Sequence, residues 1–205
     1  MTAQTRTRAL ASNTGVRRHA LRRVLLAALA FASLLPAWAA AQALDPARSR
    51  IEFDLKTRWG QTITGHFPRY DGEVVQLPDG RREVRIRLAT TSVEVEGSRR
   101  YTRFARGERF LDAEHHPWVE FRSDPYGAEL VRQGGPLYGT LNMHGVSRRE
   151  TFMLEPSECE RPAHDCDVVA QGRVLRTNYG VESWRWALTD DVNFRLRVRL
   201  REAAP

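Results

Sequence analysis

Val192-Asn193-Phe194-Arg195-Leu196-Arg197-Val198-Arg199-Leu200-Arg201 alternates apolar and polar side chains without a break. Period-two alternation sets Val192, Phe194, Leu196, Val198 and Leu200 on one face of a strand, and Asn193 with four arginines on the other. A strand with one face in water belongs to an antiparallel sheet. Working outward, Ile51, Phe53 and Leu55 alternate with Glu52, Asp54 and Lys56; Ile63, Gly65 and Phe67 with Thr64 and His66; and Val84, Ile86 and Leu88 with Arg85 and Arg87. Val119 and Phe121, then Leu137, Gly139, Leu141 and Met143, then Phe152 and Leu154, then Ala170, Gly172 and Val174 repeat the pattern. A further strand is expected near Tyr70 to Leu77. Pro78-Asp79-Gly80, Gly134-Gly135-Pro136 and Asn178-Tyr179-Gly180 punctuate these runs as turns. The pattern predicts an all-β antiparallel barrel of about eight strands.

One stretch departs from period two. Tyr101, Phe104, Ala105, Glu108 and Leu111 fall at spacings of three and four behind Ser98, which predicts a short helix with a serine N-cap near one end of the barrel.

The charge of +7 is uneven along the 205 residues. Residues 1–43 hold Arg6, Arg8, Arg17, Arg18, Arg22 and Arg23 and no acid, so residues 44–205 are close to neutral and nucleic acid is not an expected partner. Those arginines precede the apolar run Val24–Leu35, Pro36 and a small-residue tail, the plan of a cleaved secretory signal. The run is too short to span a bilayer, which takes about 20 residues. Cleavage is placed after Ala43, with Ala39 as the alternative, and Arg17-Arg18 leaves the twin-arginine route open beside ordinary secretion. The expected division is a signal peptide over 1–43 and one barrel domain over 44–205, delivered to the periplasm. In that oxidising compartment Cys159 and Cys166 are expected to close a loop disulfide rather than to bind metal or cycle redox state.

Gly65, Gly72, Gly139, Gly145 and Gly172 share the apolar face in this reading. Small inward residues leave space at the centre of an eight-stranded barrel, so a hollow lumen is expected. The other inward residues are aliphatic or aromatic, and such a lumen suits a hydrocarbon chain at about 0.8 kcal/mol per buried CH₂.

Five stretches, LDPARSRIEFDL (44–55), ITGHFPRYDGEV (63–74), RFLDAEHHPWVEFRS (109–123), YGTLNMHGVSRRETFML (138–154) and GRVLRTNYGV (172–181), resemble the successive motifs of the YceI family of secreted bacterial proteins. The resemblance implies a lipocalin-like extended barrel, periplasmic, holding an isoprenoid lipid: a polyprenyl chain or the tail of a quinone. No enzyme activity, no metal and no cofactor apart from that ligand are expected. Phe53, Leu55, Ile63, Phe67, Phe104, Phe110, Val119, Phe121, Leu141, Met143, Phe152, Val174 and Phe194 are the expected lumen residues. Arg148 and Arg176 match motif positions and are the head-group candidates, able to form charge-assisted hydrogen bonds to a phosphate or quinone oxygen. The chain departs from the family's Asp-x-His-Leu pattern in the helical segment, where Thr102, Phe104 and Ala105 stand.

Three other readings compete. Asp112, His115, His116 and Glu120 lie close in sequence, with His144 in a separate motif, and would serve a metal or hydrolytic site if they converged. Trp118, Trp184 and Trp186 would suit sugar stacking, a lipid-facing rim or a plain core cap. A filled barrel without ligand is the third. No Gly-x-Ser-x-Gly elbow, His-Glu-x-x-His helix or phosphate-binding glycine loop occurs. Partners beyond the lipid are limited to transient membrane contact, and the barrel is a monomer or homodimer.

Overall fold

The computed structural model describes residues 41–202. It contains eleven strands: β1 (Ala41–Ala43), β2 (Arg50–Thr57), β3 (Thr62–His66), β4 (Tyr70–Gln76), β5 (Arg82–Ala89), β6 (Glu94–Val95), β7 (Trp118–Ser123), β8 (Gly135–Met143), β9 (Val146–Leu154), β10 (Val168–Leu175) and β11 (Leu188–Val198). They form one antiparallel sheet in the order β1-β4-β5-β7-β8-β9-β10-β11-β2-β3-β6. The count exceeds the expected eight for local reasons. Pro68 cannot donate to a ladder, so the chain kinks there. Its first half, β3, pairs with β2 and β6, while its second half, β4, pairs with β1 and β5. A 3₁₀ turn at Thr90–Ser92 likewise separates β5 from β6, and β1 is a three-residue edge addition. Joining the two kinked pairs and setting β1 aside leaves eight staves.

The sheet curls until residues beside β1 reach the end of β11. Asp45 N–H donates to Arg199 O (2.8 Å), Arg201 N–H donates to Ala43 O (2.9 Å), and Leu44 bridges Leu200. The outward arginines are met by acids: Arg87 by Asp71 at 2.9 Å, Arg199 by Asp167 at 2.6 Å, and Arg85 and Arg122 by the buried Glu83 at 2.6 and 2.9 Å. Burial pushes the Glu83 carboxyl up, but the two guanidinium forks outweigh it and hold the group below its usual range. Exposed pairs of this kind contribute only about 0–1 kcal/mol each.

Among the described residues two α-helices are present where one was expected. In α1 (Arg99–Arg106) the Ser98 side chain accepts from Tyr101 N–H, the N-cap read from the sequence. The second, α2 (Glu129–Gln133), is a single short turn packed beside β8. The Cys159–Cys166 disulfide is formed, and its loop places Pro162 and Ala163 against the barrel interior. Ala163 O accepts from Leu200 N–H at 2.8 Å, tying that loop to the chain end.

The inward glycines do not leave the barrel hollow. A Cβ on Gly65 would lie 2.4 Å from the Phe53 ring, one on Gly139 2.5 Å from Phe121, and one on Gly172 2.5 Å from Phe152. Across β3, β2, β11, β10 and β9 the paired positions read Gly65, Phe53, Phe194, Gly172, Phe152. Every glycine in this row has a phenylalanine beside it, and the rings of Phe53 and Phe152 occupy the space above Gly65 and Gly172, the aromatic rescue familiar in curved sheets. Gly72 admits Leu44 in the same way, and Gly145 lies in the β8–β9 turn at φ +75°, off the apolar face altogether. The barrel has internal space, but these glycines do not supply it.

Candidate functional site

The phenylalanine rings lodged on those glycines join into a belt across the interior. Ring centroids are 5.6 Å apart for Phe67–Phe53, 6.3 Å for Phe53–Phe194, 6.5 Å for Phe194–Phe152 and 4.9 Å for Phe152–Phe121. Tilted and edge-on contacts at such distances contribute beyond simple burial. A cavity lies on each side of the belt, and Phe194 belongs to the walls of both.

The cavity at the α1 end measures about 190 Å³. Phe53, Leu55, Ile63, Phe67, Phe104, Phe110, Met143 and Phe194 line it. Its mouth carries Trp59, Tyr101 and Trp186, which are 60%, 47% and 73% exposed. The other cavity, about 110 Å³, is lined by Val119, Phe121, Leu141, Phe152 and Phe194 together with aliphatic residues of β4, β5, β10 and β11. Val131 of α2 and the disulfide loop stand at its far end. Val174, expected in the lumen, is 1% exposed and packs in the core without reaching either cavity.

The two head-group candidates separate sharply. Arg148 is exposed, donates to Asn178 O at 2.7 Å and lines no cavity. Arg176 is 3% exposed and lines the larger cavity. Its Nε donates to Thr189 O at 3.0 Å, and its Nη1 to Val181 O and Ser183 O at 2.8 and 2.6 Å. Among the described residues no carboxylate comes within 4.0 Å of it. The nearby Asp190 accepts from Thr177 instead, at 2.6 Å from the hydroxyl. Burial therefore lowers the Arg176 pKa, an effect partly offset by the field of Asp190. Buried charges are normally paired, so a guanidinium held only by carbonyls in an apolar wall is poised to meet an acceptor from outside the chain.

The mouth residues come from a hairpin, a helix and a turn rather than from the strands. Trp59 sits in the β2–β3 hairpin and Tyr101 faces out from α1. Trp184 and Trp186 occupy the turn before β11, Trp184 at φ +62°. Their rings stack at 5.8 Å, and Trp184 also meets Phe104 at 5.5 Å. Trp118 lies elsewhere, its ring 5.0 Å beneath the Arg87 guanidinium on the outer surface. The acid/histidine segment divides as well: Glu120 is exposed on β7, whereas Asp112 and His116 approach His144.

A curled antiparallel sheet around an apolar, partitioned lumen places the chain among the hollow β-barrels. Residues 42–200 match the profile of the YceI-like domain, and the chain belongs to that family. No curated protein matches it in sequence. The fold is similar to that of BcnA from Burkholderia cenocepacia, with a TM-score of 0.62 and 17% identity over 76% of this chain and 98% of that one. It is similar also to a polyisoprenoid binding domain from Saccharophagus degradans implicated in plant cell wall breakdown, with a TM-score of 0.60 and 13% identity over 80% and 99% of the two chains.

Proposed function

We propose that this protein is a non-enzymatic periplasmic carrier that holds an isoprenoid lipid, a polyprenyl chain or the tail of a quinone, inside the barrel. The supporting observation is the pairing of an apolar lumen with one buried, carboxylate-free arginine in its wall. The tail takes the hydrophobic gain of leaving water. The phosphate or quinone oxygen of the head group meets the free edge of Arg176, while Arg148, facing solvent, takes no part.

Loading follows from the mouth. Trp59, Tyr101 and Trp186 are amphipathic rings suited to a lipid interface. Arg58, Arg99, Arg100 and Arg103, on or beside the same rim, have no carboxylate within 4.0 Å among the described residues. This collar fits the anionic surface of a membrane, each basic residue contributing about 1 kcal/mol near such a surface. Delipidated protein mixed with anionic vesicles containing polyprenyl phosphate, then separated and extracted for mass spectrometry, is expected to carry one lipid per chain. A double Trp59→Ser/Trp186→Ser variant is expected to load several-fold more slowly to the same final level. Protein that emerges from its native host and from the vesicles without lipid would remove the carrier reading.

The signal peptide lies outside the described residues except for its proposed last three. Ala41–Ala43 pair with Val75, Val74 and Glu73 of β4. Cleavage after Ala43 would strip that strand from the edge of the sheet, whereas cleavage after Ala39 keeps it. N-terminal sequencing of the exported protein is therefore expected to begin at Ala40, and a start at Leu44 would show that β1 is dispensable.

A further inference from the structure

Asp112, His116 and His144 each offer one ligand atom, these atoms all lie within 4.8 Å of one another, and the three residues are partly buried. The residues come from two separate segments. Asp112 and His116 share the turn ahead of β7, where His116 N–H donates to Asp112 O at 2.7 Å, and His144 sits in the β8–β9 turn.

Surrounding contacts orient each member. The His144 Nδ1 lies 3.1 Å from Tyr179 O. A carbonyl only accepts, so Nδ1 carries the proton and Nε2 is left with a lone pair. Tyr179 is itself fixed, with no exposure and its hydroxyl 2.8 Å from Glu150 Oε1. The Asp112 carboxylate is held by His115 Nδ1, at 2.9 and 3.1 Å from its two oxygens. The His116 and His144 rings lie 4.8 Å apart at 55°. Gly145 permits that approach, because a Cβ there would stand 2.8 Å from His116 Cε1. Two of the three residues also adopt left-handed backbone conformations uncommon outside glycine, Asp112 at φ +44° and His144 at φ +53°. The outer contacts to Tyr179 O and His115 are the kind that orient metal ligands.

We propose that Asp112, His116 and His144 bind a divalent first-row transition ion, with zinc as the matching species, on the flank of the larger cavity. Two neutral imidazoles and one carboxylate form a usual three-residue donor set for zinc, with a fourth position left to water. Ligand atoms around tetrahedral zinc stand ~3.4 Å apart, so the trio closes by ~1.4 Å at most on binding. The 112–120 segment supplies two of the three ligands, and the third arrives from the β8–β9 turn.

The ion has a structural consequence. Leu111 and Met143 line the cavity next to Asp112 and His144, and Tyr179 closes the 3₁₀ turn that begins at Arg176. One ion would therefore clasp the α1–β7 and β8–β9 segments to each other and, through His144, steady the turn that carries Arg176.

The test uses the full mature chain, stripped with chelator and titrated with Zn²⁺, and with Co²⁺ as a visible-absorption probe. One ion per chain is expected, with the d–d spectrum of four-coordinate Co²⁺ and an unfolding midpoint that climbs with zinc concentration. His116→Phe keeps a ring against Gly145 and is expected to weaken binding at least tenfold, as is Asp112→Asn. His115→Ala, which touches only Asp112, is expected to weaken it by ~10–100-fold, and His164→Ala, in the disulfide loop, to leave it unchanged. Substoichiometric zinc, or zinc retained equally by His116→Phe and Asp112→Asn, overturns the site. Lipid loading is measured on the same variants, so loss of the metal site and loss of the carrier function register separately.

Discussion

Arg176→Met is expected to lower stability by about 3–5 kcal/mol and to abolish any preference for a phosphate-bearing lipid over the uncharged alcohol of the same chain. The stability loss comes from three carbonyls, of Thr189, Val181 and Ser183, that each lose a charged donor at 3.0, 2.8 and 2.6 Å. Hydrogen bonds to charged groups contribute about 1.5–3 kcal/mol each, and a buried acceptor left unpaired costs a similar amount. Methionine returns part of this by filling the same apolar wall. Arg176→Lys keeps the charge but presents a single point rather than a fork, so it is expected to recover only part of the stability. On the binding side, a charge-assisted bond of about 1.5–3 kcal/mol corresponds to roughly 10–100-fold in affinity. Urea unfolding measures the first effect, and competition between polyprenyl phosphate and polyprenol measures the second. If the methionine variant still distinguishes the two lipids, the guanidinium is a strut for the β11 approach and the head group is read elsewhere.

The outward contrast between Arg176 and Arg148 shows where sequence reading stops. Both matched motif positions and both are arginines at strand ends, yet one is buried against three carbonyls and the other lies in solvent. Nothing in the two local sequences separates them, because burial here depends on the turn at 181–187 folding over the barrel end. By contrast, strand placement was legible almost throughout. Period two is enforced by each strand's own pleat, so Val192–Leu200 and Ile51–Leu55 could be assigned from the chain alone. Twelve of the thirteen expected lumen residues line a cavity, ten of them by this alternation and Phe104 and Phe110 from the helical segment. What failed was the step from side-chain size to empty space. Glycine on an inward face implies room by its own size, but its cross-strand neighbours are Phe53 at Gly65 and Phe152 at Gly172, and they fill it. Register between strands decides such pairings, and register is a tertiary property. The convergence of Asp112, His116 and His144 is tertiary in the same sense, because a turn-to-turn contact with no sequence period draws them together.

Phe194→Ala is expected to join the two cavities and to shift the bound isoprenoids toward longer chains, at a cost of about 3–5 kcal/mol in stability. Phe194 is 7% exposed, sits midway along the belt and is the residue shared by both cavity walls. With the ring in place, a tail entering past Trp59 and Trp186 meets Phe53, Phe67 and Phe194 before it reaches the space beyond. Phe53 is seated on Gly65 and Phe152 on Gly172 through cross-strand packing, and Phe194 lies between them, so the belt acts as a stop for the tail. Truncation to alanine removes the central ring while the neighbouring Phe53 and Phe152 stay seated on their glycines. The opened volume stays lined by Ile51, Leu141, Leu196 and other aliphatic residues, so the added length of tail finds an apolar wall. Phe194→Leu, which keeps most of the volume, is expected to cost less and to shift chain length little. The measurement is the chain-length distribution of lipid extracted from each variant after expression in the same host, with chemical unfolding run in parallel. A Phe194→Ala protein that is destabilised as expected yet carries the same chain lengths as the parent would show that the tail never reaches the belt, confining the ligand to the cavity beside α1.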